Sequence, residues 1–305
     1  MIKTAILYRL FRPIAASAEQ VEQQLQVEAF TPCSPSKDWS SGWMPPRGHD
    51  HGPLLESVGG QWILKLMTET KRVPTEVLNR AVAAAANEIE TTTGRKPGKK
   101  ERRDLKETAL LALLPAAFPV RSVTTVWIDP ATRLVAVDAS SQVKADDALR
   151  ALVSTVQSLV IYPVNTKTSA TAAMSDWLAN QEAPAGFTID RECELTAADE
   201  SKAVVKYGRH PLDIEEVRAH VEGGKLPTKL AMTWDGRVSF VLTDSMHLKK
   251  LSFLDVVFEG GSEDQPDGFD ADTAILTGEL SRLVPDLLEA LGGEVVAPGI
   301  EEDQP

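Results

Sequence analysis

Residues 230–243 read LAMTWDGRVSFVLT, and this stretch decides the class of fold. Two strand-like runs flank Asp235-Gly236, a pair that tolerates the positive φ angles a tight hairpin turn demands. A second hairpin precedes it in the chain. SVTTVWID (122–129) and RLVAVDA (133–139) are joined by a Pro-Ala-Thr turn. Antiparallel hairpins interleaved with helices, without a βαβ rhythm, imply an α+β fold.

Working outward, residues 2–10 have a strand pattern, and residues 18–28 a helical one with Val21 and Leu25 one turn apart. The segment 31–53 is so rich in Pro, Ser and Gly that an irregular loop is expected. QWILKLMTETKRV (61–73) follows as a strand closed by Pro74. Residues 74–90 carry apolar side chains at helical spacing, and a second helix is expected from about Gly98 to Leu114, ended by Pro115. Further helices are expected at 142–157, 169–181, 213–221 and 272–291, with strands at 158–164, 186–195 and 202–207. Residues 262–272 are expected as a loop, Pro285 should kink the last helix, and the final residues should fray. Trp62, Trp127, Trp177 and Trp234 sit in these patterns as core residues. Three units are expected: a central α+β domain of 1–73 with 119–182, a helical hairpin tip of 74–118, and a C-terminal α+β base of 183–305 with an acidic tail.

Charge is distributed unevenly. The chain has 32 Lys and Arg against 44 Asp and Glu, a net of -12. Residues 246–305 hold 3 of the basic and 14 of the acidic residues, a net of -11, which leaves -1 for residues 1–245. Screening over about 8 Å at physiological salt means that this acidity need not cancel a basic patch elsewhere. Two widely separated cysteines, Cys33 and Cys193, fit a reducing compartment, and no apolar run reaches the roughly 18 residues of a membrane span. A cytoplasmic protein is expected.

Catalytic signatures are missing from the sequence: no Walker loop, no GxGxxG after a strand, no GxSxG and no HExxH. His49-Asp50-His51 lacks further ligands nearby, so no metal, cofactor or enzymatic activity is expected. The basic run GRKPGKKERRDLK (94–106) is different in kind, with seven cations in thirteen positions. On a helix, Lys99, Arg102, Arg103 and Lys106 form one stripe at i, i+3, i+4 and i+7. The stripe places like charges at i,i+4 and cations at a helix N-terminus, each costing about 0.2–1 kcal/mol. Lys100–Asp104 and Arg103–Glu107 pairs should offset part of that cost. Phosphate oxygens would relieve both faults. A solvated helix face and a patch for an acidic protein remain open on these residues alone.

Several stretches, in this order, resemble one family: AFTPC (29–33), GWMPP (42–46), LLPAAF (113–118), VWID with LVAVDASS (126–141), GGKLPTKLAMTWDGRVSFVLTD (223–244), LKKLSFLD (248–255) and DADTAILTGELSRLVPDLLEALGGE (270–294). They resemble RdgC, the bacterial recombination-associated family. The resemblance implies a non-enzymatic, nucleoid-associated protein that binds DNA without sequence preference and restrains RecA-driven strand exchange. It implies a ring-shaped homodimer around duplex DNA, with single-stranded DNA as a second ligand. By position it makes Arg95, Lys96, Lys99, Lys100, Arg102, Arg103 and Lys106 candidate DNA contacts. Arg209, in VKYGRHPL, is a further candidate, although the Tyr-Gly pair before it departs from the family pattern. Phe118 matches an aromatic near the contact between tips. The acidic C-terminal segment, with its leucine-rich helix, is a candidate for the second dimer contact.

Overall fold

The computed structural model describes residues 2–157, 159–258 and 268–295. The first part of the chain forms β1 (Ile6–Leu10), α1 (Ala18–Leu25), β2 (Trp39–Met44), β3 (Leu55–Val58) and β4 (Gln61–Lys71). Then come α2 (Thr75–Thr93), α3 (Lys99–Leu113), β5 (Pro119–Asp129), β6 (Leu134–Asp138), α4 (Gln142–Thr155), β7 (Ile161–Pro163) and α5 (Ala170–Asn180). The remainder is β8 (Phe187–Ala197), β9 (Val204–Gly208), α6 (Glu215–Glu222), β10 (Lys225–Trp234), β11 (Val238–Thr243), β12 (Leu248–Phe253) and α7 (Gly268–Ala290). The fold is α+β, and the pairings between these named strands are all antiparallel.

One sheet has seven strands in the order β2-β4-β5-β6-β1-β7, with β3 also on β4; the other has five, β12-β11-β10-β8-β9. The 230–243 hairpin forms the centre of the second sheet. Asp235 and Gly236 both take positive φ, and the Arg237 amide donates to the Trp234 carbonyl, closing a two-residue turn.

The two-residue period of the strands sorts their side chains between two cores. On one face of the larger sheet, Ile6, Tyr8, Leu64, Leu66, Val126, Ile128, Val135 and Val137 pack under α1 and α4. Their neighbours Leu7, Ile63, Trp127, Leu134 and Ala136 join a second core, shared with α5, α7 and the smaller sheet. The four tryptophans assigned to the interior are all buried.

Three expectations change. First, the 31–53 segment contains β2, because pairing with β4 from Trp39↔Thr70 to Met44↔Lys65 outweighs its breaker-rich composition. Gly42 is required there: a Cβ would lie 2.5 Å from the Cα of Phe30, whose backbone crosses at that point. Second, α7 starts at Gly268, so residues 268–272 are helical. Third, the leucine face of α7 points inward. Leu276, Leu280, Leu283, Leu287 and Leu288 are buried in the shared core, which leaves those side chains nothing to offer a partner chain. The expected fraying of the last residues lies outside the described residues.

The C-terminal acids also have internal uses. Glu279 receives both Arg237 and Arg282, Asp270 receives Arg47, Glu294 receives Arg9, and Asp286 accepts from the Trp234 indole. These contacts fasten the helix and its ends to both sheets.

Candidate nucleic-acid interface

The arm grows out of the larger sheet. β4 ends at Lys71, α2 begins at Thr75, and the chain returns through α3 to enter β5 at Pro119, opposite Lys71. At 1.5 Å per residue, α2 is about 28 Å long and α3 about 22 Å. The two helices pack chiefly on each other. No residue of α3 is fully buried, and in α2 only Leu78 is. A helix pair so lightly covered projects rather than folding back on the body.

Local chemistry sets the turn. Gly94 ends α2 in the left-handed region, with its amide on the Glu90 carbonyl. Pro97 is buried in the turn, and Gly98 stands before α3. Glu101, three residues on, accepts the Gly98 amide at 2.9 Å and both guanidinium nitrogens of Arg95 at 2.7 Å. The Arg95 pair, with the Gly98 amide behind it, holds the Glu101 carboxyl down at about 2.

This alters the charge account. An acid does stand in the first turn of α3, and it occupies Arg95. The Gly-x-x-Glu spacing of 98–101 was the signal for it. Lys96 lies 3.9 Å from Glu90, and Arg103 3.8 Å from Asp104. Neither of the expected pairs, Lys100–Asp104 and Arg103–Glu107, forms, because Arg103 turns to its neighbour instead. Lys99, Lys100, Arg102 and Lys106 are exposed and make no ion pair among the described residues. The seven cations therefore divide into three with acidic neighbours and four without.

Phe118 stands at the foot of the arm, 88% exposed, beside Val120 at 63%. Arg121 is committed elsewhere: its Nε donates to the buried Glu69 at 2.7 Å, and Glu69 also accepts the Cys33 amide. Arg209 lies apart from the arm, at the end of β9, the edge strand of the smaller sheet, exposed and with positive φ. Nearby, Tyr207 stacks at an angle on His210 and His220.

Among the described residues, no group of three or more His, Cys, Asp or Glu side chains is placed to hold a metal ion. No described helix is long and apolar enough to cross a membrane. The Cys193 thiol is pushed up to about 12 by burial.

Two antiparallel sheets sharing a core, with a helical arm that carries a cationic turn raised on β4 and β5, define an α+β class of protein. Comparison with known proteins narrows it. Residues 1–294 match the family described as "Putative exonuclease, RdgC". The recombination-associated protein RdgC of Cupriavidus pinatubonensis (strain JMP 134 / LMG 1197) is 46% identical over 295 residues, 96% of this chain and 98% of its own. Its namesake in Dechloromonas aromatica (strain RCB) is 44% identical over 300 residues, and that of Bordetella pertussis (strain Tohama I / ATCC BAA-589 / NCTC 13251) 40% over 295, each spanning 96% of this chain and 98% of its own. The chain belongs to the RdgC family.

Proposed function

We propose that this chain is a non-enzymatic DNA-binding protein that grips the phosphate backbone through its arm, encircles duplex DNA as a dimeric ring in the nucleoid, and restrains RecA-mediated recombination. The observation that carries this reading is the group of four exposed cations on α3, Lys99, Lys100, Arg102 and Lys106, without an acidic partner among the described residues. Three of them lie on one stripe that also presents Arg103. Backbone contacts position a protein on DNA without reading its sequence, which suits an arm that bears cations and no base-reading motif. Arg95, Lys96 and Arg209 are secondary contacts in this reading, and Phe118 joins the arms of two copies. The relatives' names supply the link to recombination.

The test combines light scattering with retention on DNA. A ring predicts a dimer mass and binding to closed circular duplex that survives a salt wash able to strip the protein from linear duplex. Equal loss from both forms refutes encirclement. A Lys99→Glu, Lys100→Glu, Arg102→Glu, Arg103→Glu variant should lose duplex binding and the restraint of strand exchange together. If restraint survives the loss of DNA binding, direct contact with the recombinase replaces this mechanism. Release of labelled nucleotides in Mg²⁺ or Mn²⁺ would overturn the non-enzymatic reading.

A further inference from the structure

The outer end of the seven-stranded sheet, at the root of the arm, carries an exposed tryptophan that the duplex grip does not use. Trp39 opens β2, an edge strand, and pairs with Thr70 of β4, which pairs in turn with Val120 of β5. Directly paired residues share a face of a sheet, and strands lie about 4.8 Å apart. Trp39, Thr70 and Val120 therefore form one row about 10 Å across. Trp43 occupies the same face four residues further in, where its indole reaches Thr155 of α4 and the side chain is buried. Beyond the end of α4 the face is open, and Trp39 is 56% exposed.

The acid nearest this row along β4 is turned away and already paired. Glu69 belongs to the adjacent row, Ser40–Glu69–Arg121, which faces the other way and is closed by Cys33 and Arg121. Lys37 precedes Trp39 by two residues, and Arg72 directly follows β4. Both are exposed and make no ion pair among the described residues. Lys71 donates to the Ser34 carbonyl, which ties the 34–38 loop against this end of β4. Asp38 is the acid closest in sequence to Trp39. An apolar ring flanked by unpaired cations suits a ligand with flat apolar faces and a phosphate chain.

We propose that Trp39 is a stacking platform for an unpaired base of single-stranded DNA, with Lys37 and Arg72 on the adjoining phosphates. The inference rests on the DNA-binding reading above and adds a function to it. In duplex DNA the base faces are hidden in the stack, so a tryptophan there senses strandedness, whereas the arm's cations meet phosphates of either form. The platform sits where the arm leaves the sheet, so one strand can lie across both.

The experiment compares wild type, Trp39→Ala and Trp39→Phe on oligothymidylate and on duplex of equal length, at one salt concentration, with light scattering of each variant. Trp39→Ala should weaken oligothymidylate binding by about 5- to 150-fold, the effect of one lost base stack. It should leave duplex affinity, the salt slope and the oligomer mass unchanged. Trp39→Phe should restore most of the affinity while abolishing part of the fluorescence quenching that oligothymidylate causes. Unchanged oligothymidylate binding, or an equal loss on both DNA forms, overturns the platform and leaves duplex binding standing. A changed mass in Trp39→Ala assigns the face to a second copy of the chain and also overturns it. Failure of wild type to bind either DNA removes the underlying reading itself.

Discussion

Replacing Lys99, Lys100, Arg102 and Lys106 with Gln tests the division of the arm's cations directly. All four are exposed and unpaired among the described residues, and Gln is nearly as good a helix former as Lys or Arg, so α3 should persist. Each phosphate neutralised contributes about 0.9 to the slope of log affinity against log salt. If every one of the four meets a phosphate, the variant's slope is shallower by about 3.6 per bound protomer. Over the fourfold rise from about 50 to 200 mM salt, wild type then loses roughly 150-fold more affinity than the variant. Arg95, Lys96 and Arg103 supply the control, since they stand 2.7, 3.9 and 3.8 Å from Glu101, Glu90 and Asp104. A cation already matched by a carboxylate displaces fewer counterions from DNA. The Arg95→Gln, Lys96→Gln, Arg103→Gln variant should therefore change the slope by less than about 2. Anisotropy of a labelled duplex across the salt series measures both, with circular dichroism to confirm the arm. An unchanged slope in the quadruple variant, or a larger change in the triple one, refutes the reasoning.

Freeing Arg95 with Glu101→Gln should steepen the same slope by up to about 0.9, read in the same anisotropy series. The Glu101 carboxyl is held down at about 2, so its pairing is complete above the ordinary carboxylate range and is lost only as pH falls toward that value; arm helicity followed by circular dichroism should hold from neutral pH to about 4. Leu280→Ala empties a site with no solvent exposure in the core that joins both sheets, and should cost about 2–5 kcal/mol in denaturant unfolding. Glu279→Ala strands Arg237 beside a carboxylate site only 5% exposed; a loss of about 2–3 kcal/mol is expected, below the full buried-pair range because Arg237 keeps a quarter of its surface in water. Arg237 depresses the Glu279 carboxyl, so this contribution is present above the unfolded carboxylate value and disappears as pH falls through the lower folded one; wild type and Glu279→Gln should converge in stability on acidification. Phe118→Ala removes an 88% exposed ring, so unfolding should shift by no more than about 0.5 kcal/mol, while the proposed ring requires the mass by light scattering to fall toward that of one chain.

Much of this was legible from residue order because it depends on short-range chemistry. Asp235-Gly236 supports its turn without help from the rest of the chain, and Pro74, Gly94 and Pro115 bracket two amphipathic helices wherever they are placed. The α+β class, the helical arm and the concentration of cations on it follow from such local preferences. Tertiary structure decided what depends on distant partners. β2 exists because β4 offers a ladder and Gly42 lets the Phe30 backbone pass, neither of which shows in the composition of 31–53. The leucine face of α7 and the acids Asp270, Glu279 and Glu294 looked like surface available to a partner; packing against two sheets consumed them. The same holds for the basic run of 94–106. Its charge is written in the sequence, but which cations are free depends on side-chain geometry, because an ion pair forms only where two flexible groups come within about 4 Å.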